Sequence, residues 1–109
     1  MRAHGALGPG LLESTYSACL AHELAVNGIP FEREKPLPVR YREILLETEF
    51  RVDMLVADEV VLEIKAVEKS LPVHESQLLT YLKLSNRRVG LLINFNVRLL
   101  KDGIRRVIL

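Results

Sequence analysis

The sequence predicts a single α/β domain spanning residues 1–109, a mixed β-sheet flanked by helices with elements in the order α-β-β-β-α-β-β. Three observations predict it. A helical apolar stripe precedes a long stretch of strand-like patterning, a second helical stripe interrupts that patterning, and the continuous apolar run Val89–Phe95 follows as a buried strand should. At 109 residues, with 49% hydrophobic and 27% charged side chains, the chain can bury an ordinary core without staples.

Residues 11–27 read as the first helix, with Leu12, Tyr16, Cys19, Leu20 and Leu24 at helical spacing and Gly28 as a left-handed stop. Leu7-Gly8-Pro9-Gly10 before it is a break, because Pro9 and two glycines do not suit a helix interior. Residues 29–42 carry Pro30, Pro36 and Pro38 and suit an edge or irregular extended segment. From Ile44 to Ala66 the pattern is β, with two apolar-rich runs around Ala57-Asp58-Glu59. Pro72 precedes a helix over 73–86 carrying Leu78, Leu79 and Leu82. Asp102-Gly103 is a tight turn, and Ile104–Leu109 a last strand. The connection from 60–66 through the helix to 89–95 is expected to be a right-handed parallel crossover.

Composition excludes several classes. No apolar run reaches the roughly 18–20 residues of a membrane span, and Met1-Arg2-Ala3-His4-Gly5 lacks the apolar core of a secretory signal. Cys19 is the only cysteine, so no internal disulfide forms and a reducing cytoplasm is the expected location. Fifteen Lys+Arg against fourteen Asp+Glu leave a net charge of +1, so any polyanion contact depends on local clusters. Arg33, Lys35, Arg40, Arg42 and Arg51 form one basic group, diluted by Glu32, Glu34 and Glu43. Arg87, Arg88, Arg98, Lys101, Arg105 and Arg106 form another. Arg51, Arg105 and Arg106 are the candidate nucleic-acid contacts, with solvated surface charge as the plainer account.

The hairpin over 49–66 carries the chemistry. If residue numbers of paired positions sum to 116, Val56 meets Val60, Met54 meets Leu62, Val52 meets Ile64 and Phe50 meets Ala66. Register follows the buried face, so this pairing is favoured, with a three-residue loop at 57–59. Asp53 then stands opposite Glu63, and Arg51 opposite Lys65. Carboxylates directly opposite lie roughly 5 Å apart and repel. A hard divalent cation, Mg²⁺ or Mn²⁺, relieves that repulsion, since such ions take one or two carboxylates plus phosphate oxygens and water. Lys65 projects to the same face roughly 6–7 Å further along, where an ammonium can orient a water or stabilise phosphate charge. A solvated strand face also yields Glu-x-Lys. The strand 60–64 leads into a helix and a buried strand, however, which puts Glu63 and Lys65 beneath a covering layer. Charges there need partners or metal.

Gly10-Leu-Leu-Glu13-Ser-Thr-Tyr16, Asp53-Met-Leu-Val56, Val61-Leu-Glu63-Ile-Lys65-Ala66-Val67, His74-Glu-Ser-Gln77-Leu-Leu-Thr-Tyr81 and Gly90-Leu-Leu-Ile-Asn94-Phe95 together resemble the GxxExxY protein family. That family is placed in the PD-(D/E)xK nuclease-like superfamily, and the resemblance covers nearly the whole chain. It implies a restriction-endonuclease-like core and a divalent-metal-dependent nuclease cutting phosphodiester bonds in nucleic acid, DNA before RNA. Asp53 and Glu63, with the Ile64 carbonyl, are then metal ligands, and Lys65 is the catalytic lysine. Glu13 is an additional acidic residue that completes a second metal site or orients the nucleophile. Gln77, with Tyr81 one turn later, matches the polar position facing the site from the second helix. Members usually carry an apolar helical stretch before this segment, where only Met1–Ala6 stand here, so the expectation is either a thinner layer over the sheet or a truncated start.

Plainer roles stand beside these. Glu13 in a first helical turn also complements the helix dipole, Gln77 suits a solvated position, and Tyr16 and Tyr81 suit the core edge. His74 could donate to a site carboxylate or sit solvated at the helix start. His4 and His22 show no ligand spacing, and Cys19 on the apolar stripe reads as a buried small hydrophobe. The competing function is a non-catalytic nucleic-acid-binding or protein-assembly module that keeps the fold, a homodimer subunit of a larger complex. Hydrolysis of a small phosphorylated molecule is the third reading.

Overall fold

The computed structural model describes residues 12–36, 39–46, 51–69, 71–97 and 100–109. The Leu7–Gly10 break, the N-terminal layer, Phe50 and Arg98 lie outside the described residues. The first helix, α1, is Glu13–Val26. It ends as the sequence predicts: Gly28 takes φ +70°, and the Ile29 N–H donates to the Leu24 carbonyl at 2.9 Å. Tyr16, Leu20 and Ala21 form its buried stripe. That stripe leans toward Ala21, which leaves Cys19 half-buried on the far flank rather than in the core.

Seven strands follow among the described residues. The main sheet has the order β1-β4-β5-β6-β7, built from β1 (Phe31–Pro36), β4 (Arg51–Val56), β5 (Val60–Lys65), β6 (Val89–Asn94) and β7 (Ile104–Ile108). The proline-rich segment splits into two parts. β1 takes the sheet edge and ends on Pro36, where a missing N–H does no harm. β2 (Val39–Tyr41) and β3 (Ile44–Leu46) form a separate two-stranded ribbon that turns at Arg42, φ +55°. The sequence pattern did not separate that ribbon from the hairpin after it.

The second helix, α2, is Pro72–Ser85, and it connects β5 to β6, which pair in parallel from Val60↔Val89 to Lys65↔Asn94. It begins with the Leu71 N–H on His74 Nδ1 at 3.1 Å, so His74 acts first as a cap. It ends on Asn86 in the left-handed conformation. The two helices cover opposite faces. Under α1, Tyr16, Leu20 and Ala21 pack with Met54, Leu62, Ile64, Ile93 and Phe95. Under α2, Leu78 and Leu82 pack with Val52, Leu55, Val61 and Leu92. Tyr16, expected at the core edge, is fully buried and stacks on Phe95 with ring centroids 4.4 Å apart. At Gly90 the helix lies so close that an added Cβ would meet Leu78 Cδ1 at 2.9 Å. The Asp102-Gly103 turn is the end of a 3₁₀ segment, Leu100–Gly103. No described helix is long and apolar enough to cross a membrane.

Candidate active site

The hairpin register is the one the apolar pattern selects, with Val56↔Val60, Leu55↔Val61 and Met54↔Leu62. Its loop is Ala57–Glu59, with Ala57 and Asp58 both at positive φ. The ladder then stops. Val52 does not share a face with Met54 as expected: Met54 packs under α1 and Val52 under α2. The cause lies at one level of the sheet. Between the pairs Arg33↔Met54 and Lys35↔Val52, Glu34 takes φ +47°, and alternation on β4 reverses across Asp53 without a change of register.

That interruption builds the acid pair. Asp53 Oδ2 accepts the Ile64 N–H at 2.7 Å, and the Asp53 N–H donates to Glu63 Oε1 at 3.4 Å. Each side chain thus takes a hydrogen-bonding place that a continuous ladder would have given to backbone. The two carboxylates converge, as the register implies, through a parting of the strands rather than across a regular pair.

Burial and mutual repulsion set their protonation. Glu63 is 8% exposed. Burial first, then the neighbouring Asp53 charge, pushes its carboxyl up to about 7. Asp53 is raised as well, chiefly by burial, against the lowering effects of the Ile64 N–H and Lys65. Glu13 adds to the rise in both. Lys65 is half-buried and close enough to lower both acids, yet makes no ion pair within 4.0 Å among the described residues.

Glu13 reaches the site from the first turn of α1, its Oε1 accepting the Ala66 N–H at 3.3 Å. Asn94 is the site neighbour that pattern reading passed over. It is 4% exposed at the end of β6, opposite Lys65 in register, and its amide bonds both backbone groups of Val67. A polar residue ending an otherwise apolar run was the available signal.

The second helix brings Tyr81 near the site. Gln77 is exposed one turn earlier, whereas Tyr81 packs on the α2-side core. Burial, then Glu63 and Asp53, push the Tyr81 hydroxyl up, which places it near both acids. The basic candidates do not gather. Arg51 is exposed and stands opposite Pro36 on β1, with no ladder pair to Lys65. β7 lies three strand spacings from β4, roughly 14 Å. There Arg105 shares the face of Val107 under α2 and pairs with Glu75 at 3.4 Å, while Arg106 points to the other face.

A cleft of about 220 Å³ opens onto Asp53 and Ile64, walled by Glu13, Ser14, Ser17, Arg33 and Glu34. A larger depression of about 430 Å³ at the 57–59 turn is lined by Pro30, Phe31, Leu55 and Ala57 with Glu32 and Asp58. It holds no converging acid pair, whereas the smaller cleft opens onto Asp53 with Glu13 at its wall. Each acid uses one carboxylate oxygen on a backbone N–H, Asp53 Oδ2 on Ile64 and Glu63 Oε1 on Asp53. This hard-oxygen donor set, repelling when ionised, fits a divalent cation. Among the described residues no three His, Cys, Asp or Glu side chains form a group that could hold a metal ion.

A family model described as the PD-(D/E)XK nuclease superfamily matches residues 1–107. Among solved structures, an alkaline exonuclease from Laribacter hongkongensis matches with a TM-score of 0.56 and 17% identity, over 87% of this chain and 55% of that one. At that identity the likeness is one of fold, and the chain spans about half the length of the exonuclease. A search among curated proteins returns no match.

Proposed function

The chain belongs to the PD-(D/E)XK nuclease superfamily, and from that premise we propose that it is a metal-dependent nuclease hydrolysing phosphodiester bonds in nucleic acid, DNA before RNA. Members of the superfamily generally use divalent metals. The observation that carries the reading is the Asp53–Glu63 pair, converging where β4 and β5 part, with Lys65 next on the same strand.

Asp53, Glu63 and the Ile64 carbonyl would hold Mg²⁺ or Mn²⁺, with Glu13 at the rim of the same cleft. Bound there, the ion would polarise the phosphate and lower the pKa of a water. To serve as a ligand, Glu63 would have to give up the proton that burial makes it keep near neutrality. Asp53 is kept in place by the Ile64 N–H. Lys65 donates to the attacking water or to a phosphate oxygen, favouring the charge that builds as the new P–O bond forms and the old one breaks.

The test is cleavage of single-stranded and duplex DNA and RNA with Mg²⁺, Mn²⁺ or a chelator. Metal-dependent cleavage, abolished by chelation, supports the reading. Binding without cleavage, on every substrate and with either metal, supports the non-catalytic module instead.

A further inference from the structure

We propose that Asn94 is a positioning residue for Lys65, its buried amide fixing the exit of β5 and so the place where the lysine ammonium stands relative to Asp53 and Glu63. The inference rests on the nuclease reading above.

Lys65 is the last residue of its strand. On the β4 side the ladder has already stopped at Met54↔Leu62, and on the β6 side it ends at Lys65↔Asn94. A lysine at a frayed strand end carries the uncertainty of its own backbone into a long, flexible side chain. Here the end does not fray. The Lys65 carbonyl accepts the Phe95 N–H at 2.9 Å. Beyond it, Asn94 Oδ1 accepts the Val67 N–H at 3.1 Å, and Asn94 Nδ2 donates to the Val67 carbonyl at 2.9 Å. The same Oδ1 accepts the Asn96 N–H at 3.1 Å.

The orientation of that amide is dictated by its partners. Both groups facing Oδ1 are donors and the group facing Nδ2 is an acceptor, so a flipped amide would lose all three bonds. Asn94 is itself seated, because a Cβ on Gly103 would collide with its carbonyl oxygen. An apolar residue would serve packing at the end of Val89–Ile93. What an amide adds is control over the two residues after Lys65.

The experiment compares wild type with Asn94→Ala and with the isosteric Asn94→Asp, which keeps the acceptor oxygen. In Asn94→Ala, amide exchange at Val67 is expected to quicken by about tenfold or more, while Val61 and Leu62 keep wild-type rates. On DNA with Mn²⁺, kcat falls on the order of 10–100-fold and KM for DNA is unchanged. Asn94→Asp stands between the two in both readouts, and it carries the test if the alanine variant does not fold. Equal acceleration across β5, unchanged exchange at Val67, or kcat within about threefold of wild type overturns the assignment while the nuclease reading stands. Absence of cleavage by wild type itself overturns that reading, and the catalytic role of Asn94 falls with it.

Discussion

Replacing Glu63 by glutamine should make the metal-free protein more stable at alkaline pH, although it removes a buried hydrogen-bonding acid. Folding holds the Glu63 proton up to about 7, against an ordinary value of 4.5. Between those values the folded chain keeps a proton that the unfolded chain has released. Stability therefore falls as pH rises through the window, and is fully retained only below it. The gap corresponds to on the order of 3 kcal/mol, or about 13 °C in Tm for a chain of this size. The raised Asp53 acts in the same direction. Glutamine is neutral throughout, and its amide can donate to the Asp53 carboxylate. Urea denaturation in chelator at about pH 5 and about pH 8 reads the effect. Wild type should weaken toward pH 8, and Glu63→Gln should lose most of that slope and exceed wild type there by about 1–3 kcal/mol. A glutamine variant weaker than wild type at pH 8, or wild-type stability rising with pH, would refute the account of a buried, repelling pair.

Mg²⁺ or Mn²⁺ should stabilise wild type by about 2.7 kcal/mol at a hundredfold excess over Kd, more readily at pH 8 than at pH 6 because binding displaces the Glu63 proton. Asp53→Asn should abolish that shift in melting curves. Gly90→Ala forces a methyl against Leu78 and should lower stability by about 1–3 kcal/mol, read by thermal denaturation. If β7 touches nucleic acid, Arg106→Glu should weaken binding across sequences and reduce the salt slope by about one. Arg105→Glu should do less, since Glu75 already engages Arg105; the reverse order in salt titrations would contradict that placement.

The sequence carried the fold wherever a single physical demand dominated. Gly28 had to stop α1, and the apolar run before Asn94 had to be an inner strand. The apolar match of Met54 with Leu62 and Val56 with Val60 left one register open. From that register the approach of Asp53 to Glu63 follows. The details it did not carry depend on competing demands. Val52 is as apolar as Met54, so nothing in pattern alone reveals that a left-handed Glu34 and the Asp53 carboxylate move it to the opposite face. The ribbon at 39–46 was hidden because its first strand reads as the end of the proline-rich extended segment and its second as the start of the β stretch that follows. Gln77 and Tyr81 lie one turn apart on α2, and pattern alone does not reveal that Tyr81 packs on the core beneath that helix. Asn94 stands out in the sequence as the polar end of an apolar run, but only the parallel ladder sets it beside Lys65.

The central claim is that Asp53, Glu63 and Lys65 form a working phosphodiesterase site, with Lys65 acting on the reaction rather than on the metal. Single-turnover cleavage of end-labelled DNA by wild type and Lys65→Ala, each with Mn²⁺ at concentrations shown by melting curves to be saturating, tests it most directly. The account predicts cleavage by wild type, a loss on the order of a hundredfold or more in Lys65→Ala, and the same metal-induced rise in Tm for both proteins. Cleavage by Lys65→Ala at the wild-type rate would contradict it.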